Sequence, residues 1–135
     1  MEIEKVIDDV IFRCRQLINE SHRFQVLNLA PGLKQDLSDL MCQLNEMLIV
    51  KQEELDDVLD QISQFEVQKL KAQAAKEKTH EAKIDIEILQ PERRRREREK
   101  RKIERMIDTV KTQFLAFNSA VNDMKEATKD SEFGG

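Results

Sequence analysis

The feature that most constrains this fold is a long series of apolar residues spaced alternately four and three positions apart. Between residues 37 and 65 this step meets eight apolar residues and one exception, Lys51. The series is Leu37, Met41, Leu44, Leu48, Lys51, Leu55, Val58, Ile62 and Phe65. Residues at this spacing share one side of a helix, which is typical of a coiled-coil seam. The series therefore predicts a helix that buries one face against another helix.

Two other stretches repeat the same step. The later one has no exception and comprises Ile103, Ile107, Val110, Phe114, Phe117, Val121 and Met124. The earlier one comprises Ile3, Ile7, Val10, Cys14, Leu17 and Phe24, with Ser21 as its one polar member and with Val6, Ile11 and Ile18 widening the stripe. Because a wide apolar stripe packs on more than one neighbour, the sequence predicts three mutually packed helices.

Composition supports an all-helical chain. The 135 residues include no Trp, no Tyr, three Gly and two Pro, whereas sheet proteins use many turns and aromatic residues. The fold class we predict is all-α, an elongated antiparallel helical bundle or coiled coil of three helices. We expect a single domain over residues 1–127 and a flexible polar tail over 128–135.

The two prolines set the predicted helix boundaries. Proline lacks a backbone donor, so Pro31 with Gly32 is expected to end the first helix, and Pro91 to begin the third. The predicted helices span about 3–28, 34–80 and 92–127. Two hairpins joined near Pro31 and Gln90 would set 110–121 against 58–65, with all three helices overlapping only around 52–62.

The stretch before Pro91 leaves two structures open. Ile84, Ile86 and Ile88 alternate with acidic residues, and this period of two indicates a short β-strand at 84–89. The same isoleucines also suit a helical end or a loop that lies on the bundle. A real strand would need a partner strand, because a single short strand is not stable alone.

The run from Arg93 to Lys102 contains eight bases and two acids in a chain of net charge −4. In the predicted register it faces residues 74–83, which offer few acids. Local pairs four apart are expected for Arg93–Glu97, Arg95–Glu99, Glu97–Arg101 and Lys100–Glu104, yet they leave an excess of positive charge. The partner-binding residues we predict are Arg93, Arg94, Arg95, Arg96, Arg98, Lys100, Arg101, Lys102 and Arg105.

Three interpretations of this basic run compete. It is the solvated face of a helix, a site for an acidic protein surface, or a site for nucleic acid. Nucleic acid is the least expected of these, because the run lacks interleaved aromatic residues and a recognised binding motif.

Signals for catalysis or metal binding are weak. His22 and His80 lie far apart in sequence, and neither has a Cys or His three or four positions away. Cys14 and Cys42 are expected to be small buried thiols. We therefore predict no enzyme activity, no cofactor and no metal site. The longest apolar run, residues 47–50, is too short to span a membrane, and a cytoplasmic or nuclear location is expected.

Two segments resemble BAG-type domains, the three-helix co-chaperone modules. They are "EELDDVLDQI", residues 53–62, and "REREKRKIERMIDTVKTQFLAF", residues 96–117. The resemblance implies binding to the Hsp70 ATPase domain and promotion of nucleotide exchange. The contacts it implies come from acids such as Asp56, Asp57 and Asp60 and bases such as Arg98, Arg101 and Arg105.

The function we predict is a non-enzymatic protein–protein interaction module, an adaptor or complex subunit that forms homo- or hetero-oligomers through its helix seams. Its basic patch at 93–102 would bind an acidic partner. The BAG-like co-chaperone is the alternative, and a nucleic-acid-associated coiled-coil protein is the second alternative.

Overall fold

In a computed structural model, the chain is an all-α bundle of three helices. The structure describes the backbone of residues 2–133 and the side chains of residues 2–129. Helix α1 spans Glu2–Glu20, helix α2 spans Arg23–Ala74 and helix α3 spans His80–Phe133. Most of the predicted tail at 128–135 thus belongs to α3, while Gly134 and Gly135 lie outside the described residues.

The predicted boundaries at the two prolines are wrong. Pro31 is the ninth residue of α2 and Pro91 the twelfth residue of α3, so both lie beyond the first helical turn. Both are exposed, which lets the helix continue without burying the carbonyl whose partner is lost. The first helix ends instead at Glu20, and the backbone N–H of the next residue, Ser21, donates to the carbonyl of Leu17 over 3.3 Å.

The turn between α2 and α3 is built without glycine. Lys76 has a φ of 58°, and its N–H donates to the Gln73 carbonyl over 3.1 Å. The N–H of Glu77 reaches back to the Ala72 carbonyl over 2.7 Å. These two bonds form a Schellman motif, which caps the last carbonyls of a helix when one residue is left-handed. The turn therefore lies at 75–79, some distance before the predicted turn at Gln90.

The isoleucine stretch is helical, so the predicted strand at 84–89 is wrong. All its residues belong to α3, and the described part of the chain contains no strand. Ile84 and Ile88 are 40% and 66% exposed. The backbone N–H and C=O groups of this stretch form helical hydrogen bonds within α3, so they need no partner strand.

The chain divides into two compact units, Met1–Asn45 with Arg105–Gly135, and Glu46–Glu104. We call them the three-helix unit and the hairpin unit, because the first draws on all three helices and the second on α2 and α3 alone. Three helices thus come together in the first unit and not around residues 52–62. The predicted register of 110–121 against 58–65 is also wrong, because Lys51 lies opposite Glu99 and Glu54 lies opposite Arg96.

The predicted apolar faces themselves are confirmed in most positions. Fourteen of the eighteen buried side chains in the described residues lie in the three-helix unit. They are Ile3, Ile7, Val10, Ile11, Cys14, Leu17, Val26, Ala30, Leu37, Leu40, Leu44, Val110, Phe117 and Val121. The hairpin unit buries Leu55, Val58, Ile62 and Ile103. Phe24 is 71% exposed. The break at Ser21 and His22 places it in α2, so it no longer shares a helix face with the apolar residues of α1.

Candidate functional site

The basic run, residues 93–102, lies within α3 and inside the hairpin unit. Arg105, the remaining predicted binding residue, belongs to the three-helix unit. A helix directs successive side chains about 100° apart, so a run of adjacent bases is distributed around the whole helix. Some of the predicted binding residues therefore face α2, and others face away from it. The two sets have different electrostatic surroundings.

Where α3 faces α2, linked charges from both helices form a group that we call the ionic layer: Lys51 and Glu54 of α2, and Glu92, Arg96 and Glu99 of α3. Arg96 donates through Nη1 to Glu54 Oε2 over 2.6 Å and through Nε to Glu92 Oε1 over 2.9 Å. Lys51 Nζ donates to Glu99 Oε2 over 2.9 Å. These side chains are between 25% and 34% exposed, so the layer is half-buried.

The ionic layer explains the one exception in the long seam. Lys51 occupies an apolar position of α2, and its ammonium reaches both Glu99 and Glu54, the latter over 3.3 Å. The hydrogen bond to Glu99 raises the pKa of Lys51. The same bond lowers the pKa of Glu99. A charge at a seam position is tolerated because carboxylates from both helices neutralise it.

The prediction that the run faces an acid-poor segment is wrong, because it assumed a turn at Gln90. With the turn at 75–79, Arg96 lies opposite Glu54 and not opposite residues 74–83. Part of the positive charge is thus neutralised within the chain. Lys51 was the feature of the sequence that could have indicated this pairing, because a single base in an apolar seam is stabilised by an acid on the facing helix.

Three of the four predicted local pairs are present. Arg93 Nε lies 3.8 Å from Glu97 Oε1, Arg101 Nη2 lies 3.6 Å from Glu97 Oε2, and Lys100 Nζ lies 3.8 Å from Glu104 Oε1. Arg95 does not pair with Glu99; its Nη2 donates to Glu92 Oε1 over 2.7 Å, and this bond lowers the pKa of Glu92.

Arg93 is incompletely satisfied. Its Nε is buried without a hydrogen-bond partner, and so is Oε1 of the neighbouring Gln90. The 3.8 Å approach to Glu97 is an ion pair too long to be a hydrogen bond. Arg93 Nε therefore has an ion-pair contact with Glu97 but no hydrogen bond.

The side of α3 that faces away from α2 carries Arg94, Arg98 and Arg101, which we call the arginine face. All three are exposed, and Arg101 is the one with a nearby acid. Neither Arg94 nor Arg98 has an ion pair within the described part of the chain. They recur at four and three positions, so their guanidinium groups lie in one line along the helix.

The acids of α2 also divide between the two sides of the helix. Glu54 belongs to the ionic layer, whereas Glu53, Asp57 and Asp60 are exposed. Asp56 is exposed as well and accepts a hydrogen bond from the Gln52 amide over 2.8 Å. The carboxylates implied by the BAG resemblance are thus accessible on the hairpin unit.

The two cysteines differ. Cys14 is buried, as predicted, and burial raises its pKa to about 11 against the smaller opposite effect of Arg13. Cys42 is exposed, so its predicted burial is wrong. It follows Met41 of the seam by one position, which turns it about 100° away from the buried face.

One groove in the three-helix unit has few side chains suited to catalysis or metal binding. A groove of about 650 Å³ runs along the end of α1 and the start of α2, where Arg13 Nη1 lies 3.4 Å from Asp36 Oδ2. Its lining contains neither His nor Cys.

His22 and His80 are exposed, and the described residues contain no group of three or more metal-binding side chains. No helix in the described range is long and apolar enough to cross a membrane.

Comparison with known proteins gives no match: no family model, no curated protein and no solved structure resembles this chain at a significant level.

Proposed function

We propose that the chain is a non-enzymatic interaction module that binds an acidic protein surface through its arginine face. The supporting observation is the division of the basic run into an inward set, held by the ionic layer, and an outward set. Arg94, Arg98 and Arg101 are exposed on one side of α3, and two of them lack an acid within the described residues.

Arginine suits this role because its planar guanidinium matches a carboxylate through two parallel N–H bonds. Three of them in a line along the helix would meet three carboxylates at helical spacing. The inward bases serve the fold instead, since Arg96 connects α3 to Glu54 of α2. The proposal thus narrows the predicted partner-binding residues to Arg94, Arg98 and Arg101, and it retains the expected cytosolic or nuclear location.

The decisive test changes the arginine face and a matched set of other bases. Arg94, Arg98 and Arg101 are replaced together by Ser in one variant. Lys71, Lys78 and Lys83, which are exposed bases of the same unit, are replaced by Ser in the other. Both variants lose the same charge. A fluorescent polyglutamate peptide serves as the probe, and its anisotropy reports binding at about 50 mM salt.

We expect the arginine variant to bind the probe at least about tenfold more weakly, with an unchanged circular-dichroism melt, and the lysine variant to bind almost as the unchanged protein does. An equal loss in both variants, or no binding by the unchanged protein, would contradict the proposal. Preference for a DNA duplex of the same charge over polyglutamate would favour the nucleic-acid alternative instead.

The BAG-like alternative has one observation in its favour. Asp56, Asp57 and Asp60 of α2 and Arg98 and Arg101 of α3 are all exposed on the hairpin unit. Binding of the purified chain to an Hsp70 ATPase domain, with faster release of a fluorescent nucleotide, would support this alternative. Loss of that effect in the arginine variant is the expected signature, and absence of any effect would exclude it.

A further inference from the structure

The hairpin unit carries an acidic counterpart to the arginine face. Glu53, Asp57 and Asp60 are exposed on α2, and none of them has an ion pair within the described part of the chain. We call these three residues the acidic face. Adjacent carboxylates repel one another when no cation lies between them, so this face is electrostatically incomplete by itself.

The two faces match in spacing. The acids recur at four and three positions, and so do the arginines. At 1.5 Å per residue, each face extends about 10 Å along its helix. A helix laid beside another at this spacing brings all three guanidinium groups close to the three carboxylates. Equal length and equal intervals make the faces complementary in geometry as well as in charge.

The faces cannot neutralise each other within one chain. Glu53 follows Lys51 by two positions, and Arg98 follows Arg96 by two, which places each about 200° around its helix from the ionic layer. The ionic layer is where α2 and α3 meet in this unit. The acidic face and the arginine face therefore point outward in opposite directions, where each is open to solvent or to another molecule.

The acidic face also offers apolar surface to an incoming arginine. Ile49 and Val50 lie just before Glu53 and are 59% and 50% exposed. Arginine has a three-methylene stem that packs on apolar surface while the guanidinium stays in water. A docked α3 would thus cover aliphatic side chains that are half exposed or more in the hairpin unit.

We propose that the arginine face of one copy binds the acidic face of a second copy. The inference rests on the proposed function and names the acidic partner as this same chain. Because the two faces point in opposite directions, each contact leaves one free face of each kind. Association is therefore head-to-tail, and it continues beyond a dimer unless the copies close into a ring.

Charge reversal provides the test. One variant carries Arg94→Glu, Arg98→Glu and Arg101→Glu, and the other carries Glu53→Lys, Asp57→Lys and Asp60→Lys. Sedimentation velocity measures the mass of each full-length protein over a hundredfold range of concentration, at about 20 mM and about 300 mM salt. A variant with Lys71→Glu, Lys78→Glu and Lys83→Glu changes the net charge by the same amount as the arginine reversal and serves as the control for net charge.

We expect the unchanged chain to associate at low salt and to be mostly monomeric at high salt. Each reversed variant alone should lose at least about tenfold in association, because both of its faces then carry the same sign. An equimolar mixture of the two reversed variants should associate again, since their faces are complementary. Rescue by mixing distinguishes this contact from any association through the apolar seams.

Two results would overturn the inference: a chain that stays monomeric at low salt over the whole concentration range, or a mixture that remains monomeric. If the arginine variant still loses polyglutamate binding in either case, the proposed function stands and only the identity of the partner is wrong. If polyglutamate binding also persists in that variant, the proposed function fails as well.

Discussion

The three-helix unit and the hairpin unit differ in the contacts that hold their helices together. The first buries fourteen apolar side chains and joins its helices through a dry core. The second buries four and adds the ionic layer at a position where the seam would otherwise be apolar. Two helices alone cannot surround a core, so part of the interface stays wet, and charged groups there keep their hydration in part.

The largest expected effect compares leucines in the two units. Leu37 is fully buried in the three-helix unit, and Leu55 is 6% exposed in the hairpin unit. Leu37→Ala should cost about 2–5 kcal/mol of unfolding free energy, because it leaves an enclosed cavity. Leu55→Ala should cost roughly half as much, since the two-helix interface lets water or a neighbour fill the space. Urea denaturation monitored by circular dichroism measures both.

Equal losses for the two leucines, or a larger loss for Leu55→Ala, would mean that the hairpin unit encloses its core as well as the three-helix unit does. Amide hydrogen exchange of each variant checks that the loss is felt mainly in the unit that carries the change.

The next effect concerns the prolines, of which each unit has one inside a helix. Alanine supplies the missing N–H for the carbonyl of Leu27 in Pro31→Ala and of Glu87 in Pro91→Ala. A proline in a helix interior costs about 3 kcal/mol relative to alanine, so each change should stabilise its unit by about 1–3 kcal/mol. The rise in the urea midpoint of unfolding measures this effect, and both prolines are exposed.

A fall in stability for either alanine variant would show that the proline shapes the packing of its helix. The neighbouring residue Gly32 offers a control for the first site, because a Cβ added there meets no atom within 4 Å. Gly32→Ala should therefore stabilise α2 by about 1 kcal/mol through helix propensity alone.

These sites also show what the sequence predicts well and what it does not. The buried positions can be predicted from spacing, because apolar residues at every third or fourth position lie on one side of a helix and are buried together. The helix boundaries cannot be predicted from spacing. Pro31, Gly32 and Pro91 lie inside helices, whereas the breaks fall at Ser21–His22 and at Lys76, where the sequence has neither proline nor glycine.

The error in the turn position carried over to the site. A hairpin pairs residues at equal distances from its turn, so a turn placed at Gln90 assigned the wrong partners to the basic run. Its members are exposed or half-buried bases in the structure. The bond from Arg96 to Glu54 depends on the true turn at 75–79. Local spacing reveals which residues share a face, and only the tertiary register reveals what that face meets.

A smaller effect isolates the ionic layer. Arg96→Gln removes the guanidinium that bonds Glu54 and Glu92, and should cost about 1 kcal/mol, because both carboxylates are half-buried. Arg98→Gln, on the arginine face, should change stability by less than about 0.5 kcal/mol. Hydrogen exchange of the hairpin amides measures the difference. Equal effects of the two variants would show that the layer contributes nothing to the unit.

The smallest effect is the pH dependence of the same layer. Hydrogen bonds from Arg95 to Glu92 and from Lys51 to Glu99 lower the pKa of each carboxyl from 4.5. A carboxyl with a lowered folded-state pKa stabilises the fold above its unfolded pKa, and this stabilisation is lost as the pH falls through the folded value. The raised pKa of Lys51 matters at high pH. Its contribution to the stability of the fold is present below pH 10.5 and is lost as the pH rises through the folded-state pKa.

Glu99→Gln makes this contribution measurable against the background of other acids. At pH 7 the variant should be less stable than the unchanged protein by about 0.5 kcal/mol, a value kept small because Glu99 is one-third exposed. The difference should shrink as the pH falls below 4.5 and vanish where the native carboxyl is protonated. A difference that stays constant down to that pH would mean that the Glu99 carboxylate does not hold Lys51. The hairpin unit would then depend on its four buried apolar side chains, as the three-helix unit depends on its fourteen.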